Sequence, residues 1–288
     1  MWMLFAFLSA FFAGVTGILA KCGIRKTDST VATAVRTVVV LIMSIITVLM
    51  TGSFSTLPEI GAETWVFLVL SGISTGASWL CYFKALSIGD INKVTPVDKS
   101  STVLTVIFAF IFLHEPFSFV KGLSVFLIGM GTYLMIDRKK ERSNDKNKGS
   151  TWLFFALFSA VFAALTSILG KIGIEGVDSN LGTAIRTFTV LIMAWIVVFS
   201  TGKGKAVNRM PKKEFIFIIL SGFATGASWL CYYKALQLGR ASLVAPIDKL
   251  SILITIVFSR IVFKEKLNAK TAVGLVFTVA GTLGMLLP

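Results

Sequence analysis

Long runs of apolar residues, interrupted by short polar stretches, make up most of this chain. A helix needs about 20 mostly apolar residues to cross the hydrocarbon core of a bilayer. The runs predict an all-α membrane protein with ten transmembrane helices, five in each half. We place them at about 2–21, 30–51, 64–83, 94–113 and 118–136, and again at about 152–171, 180–201, 214–233, 244–263 and 268–287.

The two halves repeat one another. Residues 1–138 align with residues 151–288 at a constant offset of 150 without a gap. Because each copy has an odd number of helices, the second copy must enter the membrane in the opposite orientation. The pattern predicts two inverted five-helix repeats around a central cavity, joined by a basic linker at residues 139–150. Inverted repeats of this kind are typical of secondary transporters.

The composition agrees with a membrane protein and changes how the net charge is interpreted. Hydrophobic residues make up 55% of the chain and charged residues only 15%, well below the roughly 25% of soluble domains. The formal charge of +14 lies mostly in loops between the apolar runs. Basic loops of this kind favour attraction to anionic lipid over binding of nucleic acid. We therefore expect a lipid bilayer as partner and no nucleic acid.

The basic residues also predict an orientation. Of the 28 Lys and Arg residues, 19 fall on the side of the 5–6 linker and 4 on the other side. The positive-inside rule then places the linker in the cytoplasm and both termini outside.

Several ionisable residues lie within the predicted helices or at their ends. They are Lys21, Arg36, Asp98 and Lys99, which recur as Lys171, Arg186, Asp248 and Lys249. Charged groups inside a membrane are costly, so they are candidates for function. The two sets would form two gates or anion-handling sites, in which each aspartate pairs with a nearby cation. Alternatively, the lysines and arginines simply extend to the interface. The short carboxylates cannot do so easily, which favours a functional role for them.

Other repeated residues surround these charges. The last turns of predicted helices 3 and 8 contain four aromatic residues, Trp79, Tyr82, Trp229 and Tyr232. They form either an interfacial belt or the lining of a cavity. Two prolines, Pro96 and Pro246, lie either in the first turn of helices 4 and 9 or at a break in these helices. Glu115 ends helix 4, where we expect a capping role or an ion pair with Lys121.

The sequence contains no recognisable catalytic or cofactor motif. It has no metalloprotease motif, no nucleophile-elbow motif, no P-loop and no dinucleotide-binding motif. The chain contains one histidine, His114. The cysteines Cys22, Cys81 and Cys231 lack metal-ligand spacing. We therefore expect neither enzymatic activity nor a cofactor.

The repeated motifs resemble those of EamA-type permeases in the drug/metabolite transporter superfamily. The similarity is carried by Trp79, Tyr82, Lys84-Ala85-Leu86 and Gly89, by the stretch from Pro96 to Glu115, and by the glycines of helix 5. The second half repeats these between Trp229 and Gly281.

The resemblance implies a multi-pass permease of a bacterial cytoplasmic membrane that moves amino acids, other metabolites or drugs. It also implies a central cavity lined by helices 1, 3 and 4 of each half. Carried over to this chain, it indicates substrate contacts at Trp79, Tyr82, Asp98, Trp229, Tyr232 and Asp248. The family's termini are usually taken to be cytoplasmic, which is opposite to the orientation that the charge count predicts.

The sequence thus predicts a secondary transporter of a small polar metabolite, such as an amino acid, that works by alternating access. Two other functions remain open. One is a flippase for lipid-linked sugars or phospholipids, in which the basic residues hold the head group. The other is a membrane assembly protein without transport, in which the polar residues only pair helices. The sequence leaves the substrate, coupling ion, transport direction and oligomeric state open.

Overall fold

A computed structural model describes residues 1–24, 26–88, 94, 97, 98, 100–135, 151–262 and 269–287. Within these residues the chain is helical and has no strand. The first half contains α1 (Trp2–Gly23), α2 (Ser29–Thr51), α3 (Ala62–Ile88), α4 (Ser101–Phe112) and α5 (Phe119–Leu134). The second half contains α6 (Thr151–Gly173), α7 (Ser179–Ser200), α8 (Lys212–Leu238), α9 (Ala241–Lys249), α10 (Ser251–Val262) and α11 (Ala269–Gly284). Short 3₁₀ helices, Ser53–Glu59 and Gly204–Arg209, precede α3 and α8.

Seven segments in the described part of the chain are long and apolar enough to span a membrane, and one of them combines α9 with most of α10. The apolar helices α4, α5 and α11 are shorter, at 12, 16 and 16 residues. The prediction of an all-α membrane protein is confirmed. The number of ten spans and the exact limits of the two repeats remain predictions.

Three of the predicted helices, at 64–83, 214–233 and 244–263, differ from those in the structure. Helices α3 and α8 are each 27 residues long, so Trp79 and Trp229 lie more than two turns from the C-terminal end. The continuous helix predicted at 244–263 is broken at Leu250 into α9 and α10. Pro246 lies inside α9 rather than in its first turn, and the break follows directly after Asp248 and Lys249. Pro96 is outside the described residues.

The two halves are packed against each other along most of their length. The principal contacts pair α1 with α8, α3 with α6, α2 with α7, and α5 with α11. Equivalent helices run in opposite directions. For example, Val31 near the start of α2 shares a cluster with Val198 near the end of α7. In the same way, Ser124 early in α5 faces Gly281 late in α11, and Gly131 late in α5 faces Gly274 early in α11. This antiparallel relation is the geometry expected of inverted repeats.

Glycines allow the closest of these helix contacts. A Cβ atom on Gly72 would lie 2.6 Å from Cβ of Thr189 in α7, and a Cβ on Gly222 would lie 2.6 Å from Cβ of Val39 in α2. Such distances leave no room for a side chain. Gly72 and Gly222 each begin a Gly-x-x-x-Gly motif, which Gly76 and Gly226 complete. These motifs serve as packing faces, as small residues commonly do between membrane helices.

A capping aspartate begins the second helix of each half. Asp28 accepts a hydrogen bond from the Thr30 amide at 2.9 Å, and its repeat partner Asp178 accepts one from the Asn180 amide at 3.0 Å. Asp28 also forms an ion pair with Lys203 at 2.7 Å, across the two halves. Two opposing effects act on the pKa of Asp28: partial burial raises it, whereas the contacts with Lys203 and with the Thr30 and Val31 amides lower it. The lowering effect is the larger, so the pKa lies below the usual 3.8.

We expect Lys203→Met to lower stability by less than about 1 kcal/mol, because the pair is partly exposed to solvent. A carboxyl group with a lowered pKa in the folded state stabilises the protein above its unfolded pKa, and this contribution is lost as the pH falls through the folded value. The difference in melting temperature between wild type and variant should therefore be constant from pH 5 to pH 8. It should shrink below about pH 3.8. A difference that does not shrink in acid would contradict the ion pair.

Candidate functional site

A cavity of about 330 Å³ lies between the two halves. The first half contributes α1 and α3, through Ala13, Thr75, Ser78 and Trp79. The second half contributes residues of α6, α7, α8 and α9, and its polar and charged side chains dominate the lining. The cavity therefore lies at the interface of the repeats and close to the charged cluster of the second one.

Arg186 is the most deeply placed charge of this cavity. It is 3% exposed, and its Nε and Nη2 atoms donate to Ser71 Oγ at 3.0 Å and to Thr75 Oγ1 at 2.8 Å. Its guanidinium lies over the rings of Trp229 and Tyr233, with Cζ 4.9 Å and 4.7 Å from their centroids. The Nη1 atom has no partner among the described residues. A buried guanidinium with an unpaired donor is a suitable contact for an anionic group, since such a donor is costly to leave unsatisfied.

The two predicted aspartates occupy equivalent places. Asp248 accepts a hydrogen bond from Ser9 Oγ at 2.6 Å, and Asp98 accepts one from Ser159 Oγ at 2.7 Å. Each serine belongs to the first helix of the opposite half and also contacts a serine of α8 or α3, at 3.3 Å in both cases. Asp248 lines the cavity. Among described residues, neither aspartate forms the ion pair that the sequence suggested.

The aromatic residues are divided between the cavity and the packing around it. Trp79, Trp229 and Tyr232 line the cavity, and the Tyr232 hydroxyl donates to Ser167 Oγ at 3.0 Å. Tyr82 instead packs against the buried cluster of Ala85, Val94 and Ala156. We place Trp79, Trp229 and Tyr232 at the candidate site, and the structure does not bring Tyr82 to it.

The basic residues are also divided. Lys249 is exposed and lines the cavity beside Asp248. Lys171 forms an ion pair with Glu175 at 3.7 Å, away from the cavity lining. Lys21 is exposed near the end of α1, and Arg36 is partly exposed on α2. Lys99 lies outside the described residues.

Several residues of the site were missed by sequence reasoning. Tyr233, Ser9, Ser159 and Ser167 contact the charged groups or line the cavity. Tyr233 could have been found by comparing the repeats, since it aligns with Phe83 and is one of few substitutions in an otherwise repeated stretch. The serines carried no signal, because hydroxyl residues are common in membrane helices.

Glu115 has a capping role, but for a helix of the other half. Its carboxylate accepts from the Ala241 amide at 2.7 Å, from the Ser242 amide at 3.1 Å and from the Ser242 hydroxyl. These donors are in the first turn of α9, which carries Asp248 and Lys249 at its other end. Among the described residues Lys121 forms no ion pair with Glu115, and its Nζ atom donates to the Pro116 carbonyl at 3.1 Å instead. The first half thus fixes the start of a helix that forms one wall of the cavity.

A transporter family matches almost the whole chain. The profile of the EamA-like transporter family matches residues 1–137 and 150–287. An "Uncharacterized transporter in cobO 3'region" from Sinorhizobium sp is 44% identical over 133 residues, which are 46% of this chain and 94% of that protein. That relative is therefore about the length of one repeat.

More distant relatives are longer. Solute carrier family 35 member G1 of Homo sapiens is 27% identical over 230 residues, and its Mus musculus counterpart is 26% identical over 232. Each match covers 76% of this chain and 61% of the relative.

A solved crystal structure superposes with a TM-score of 0.77 at 14% identity, covering 98% of this chain and 95% of its own, which shows a shared fold alone. Two family matches that together span nearly the whole chain are decisive. The chain belongs to the EamA-like transporter family, whose members are multi-pass membrane proteins that transport small molecules.

Proposed function

We propose that this protein is a secondary transporter of a small zwitterionic metabolite, such as an amino acid, in a bacterial cytoplasmic membrane. The observation that carries the proposal is the pairing of opposite charges in one cavity: the buried guanidinium of Arg186 and the carboxylate of Asp248. A substrate carboxylate would bind Arg186 and a substrate ammonium would bind Asp248, because charge-assisted hydrogen bonds are the strongest available to small polar ligands.

The size and position of the cavity support this proposal. A volume of about 330 Å³ lies within the usual range of small-molecule sites, about 300–1,000 Å³. Both halves line it, so a bound substrate would contact both. Movement of one inverted half against the other around such a site is the basis of alternating access. A protein that only assembles other membrane proteins would need no polar cavity between its halves.

The first experiment is a thermal-shift screen of the purified full chain against the common amino acids, polyamines, sugars, sugar phosphates and cationic drugs. A ligand at 100 times its Kd adds about 2.7 kcal/mol of stability if it binds only the folded state. For a chain of this size that corresponds to a rise of about 5–10 °C in melting temperature. Any ligand that raises it is then tested for flux into proteoliposomes.

We expect Asp248→Asn to remove the thermal shift and to lower flux at least about tenfold, because a charged hydrogen bond is lost. Glu175→Gln is the matched control, since it neutralises an exposed carboxylate outside the cavity lining, and it should leave both readouts unchanged. Equal ligand binding by wild type and Asp248→Asn would refute the assignment of the site. A panel without any hit, with the protein folded, would refute a soluble zwitterion as substrate and favour a lipid head group.

A further inference from the structure

Arg36 and Arg186 are equivalent in sequence but differ in their contacts. Arg186 is 3% exposed and bonds to Ser71 and Thr75 of α3. The equivalent partners of Arg36 are Ser221 and Thr225 of α8. Arg36 is partly exposed, and it forms no hydrogen bond or ion pair with a described residue. The structure therefore shows one docked and one undocked member of a repeated pair.

Helix separation does not explain the difference. A Cβ added to Gly72 would lie 2.6 Å from Cβ of Thr189, which is one turn beyond Arg186. A Cβ added to Gly222 would lie at the same distance from Cβ of Val39, which is one turn beyond Arg36. The α3–α7 and α2–α8 contacts are thus equally close at this level. The asymmetry must arise in the side chains.

The serines differ in a way that matches the arginines. Ser71 Oγ donates across the helix interface to the Thr166 carbonyl at 2.7 Å and accepts from Arg186. Ser221 Oγ donates within its own helix to the Ile218 carbonyl at 2.7 Å. The neighbouring Thr75 and Thr225 make the same bond within their helices in both halves. Rotation of one serine side chain would therefore give Arg36 the partner that Arg186 has.

We propose that Arg36 and Arg186 form a two-position latch that selects which side of the transporter is closed, an inference that rests on the alternating-access part of the proposed function. In the alternate state Arg186 leaves Ser71 and Thr75. Arg36 then docks on Ser221 and Thr225, and Ser221 donates to the Thr16 carbonyl, the repeat partner of Thr166. In addition to the substrate contact proposed for Arg186, the two arginines fix the relative position of the two halves.

The two latches are not equal in strength. Arg186 stacks on Tyr233 as well as Trp229, whereas the residue aligned with Tyr233 in the first half is Phe83. A tyrosine ring attracts a cation more strongly than a phenylalanine ring, which favours the state with Arg186 docked.

The test measures the reactivity of each arginine with p-hydroxyphenylglyoxal in the full chain reconstituted in liposomes, with mass spectrometry to assign the modified residue. In the wild type, Arg36 should react faster than Arg186. The double variant Ser71→Ala/Thr75→Val removes two charged hydrogen bonds, which should shift the equilibrium on the order of a hundredfold. Arg186 should then react at least about tenfold faster, and Arg36 should react at least about twofold more slowly.

The reciprocal slowing of Arg36 is the decisive readout, because a purely structural role of Arg186 would not change Arg36. A faster modification of Arg186 with an unchanged rate for Arg36 would overturn the latch. Unchanged rates for both arginines would overturn it as well. The matched variant Ser221→Ala/Thr225→Val should leave Arg186 as in the wild type. Tyr233→Phe should change both modification rates in the same directions as Ser71→Ala/Thr75→Val, but by a smaller factor. It replaces that double variant in the test if the double variant does not fold. Because no substrate is involved, this result is independent of the ligand screen.

Discussion

Gly131→Ala should destabilise the protein by at least about 3 kcal/mol, the upper part of the range for overpacking. Helices α5 and α11 cross at this glycine. An added Cβ would lie 2.5 Å from the Gly274 carbonyl oxygen and 2.6 Å from the Thr278 amide nitrogen. These are backbone atoms of α11, so no side-chain rotation can relieve the clash and the two helices must separate. The measurement is the apparent melting temperature of the purified protein, which should fall by about 6–12 °C.

The same helix contains a matched control. Gly129 lies two residues away, and its added Cβ would meet only Val103 Cγ2, at an ordinary 3.4 Å. Gly129→Ala should therefore leave the melting temperature within about 2 °C of the wild type, or raise it slightly through the better helix propensity of alanine. If both variants behave alike, the close crossing of α5 and α11 is incorrect.

Glu115→Ala should lower stability by about 2 kcal/mol and reduce transport of any identified substrate. The carboxylate is bonded to the Ala241 and Ser242 amides and to the Ser242 hydroxyl at the start of α9. Loss of a helix cap costs about 0.5–2 kcal/mol. The two freed amides belong to buried residues, where water cannot easily replace the lost bonds. Transport should fall because α9 carries Asp248 into the cavity wall.

The measurements are the melting temperature and proteoliposome flux, compared with those of Glu59→Ala. Glu59 is also an acidic residue of the first half but is exposed, so its removal should change neither readout. Glu115→Gln should have an intermediate effect, because the amide oxygen can still accept one of the bonds. Normal flux in Glu115→Ala would show that the cap does not position Asp248.

The repeated architecture makes these tests unusually well controlled. Most residues of the candidate site have an equivalent in the other half, so a variant in one half has a matched variant in the other. The hydrogen bonds of Asp98 and Asp248 to Ser159 and Ser9 are one such pair. The halves also differ in structure at Arg36 and Arg186, and there the matched variants test whether the difference depends on the conformational state.

The sequence by itself determined the helical membrane class, the duplication and the candidate charges. Runs of about 20 apolar residues can satisfy their backbone in a bilayer only as helices, and a gapless repeat is visible without coordinates. The selection of Asp248 and Arg186 as candidate residues followed from the cost of ionisable groups in a membrane.

Only the tertiary structure decided how these parts meet. The partners of Arg186 are Ser71 and Thr75, more than 100 residues earlier, and Glu115 caps a helix of the other half. The break at Leu250 and the length of α3 and α8 also came from the fold, since hydropathy does not locate helix ends within apolar sequence. Pairing across the interface depends on long-range packing, which a local pattern of residues does not contain.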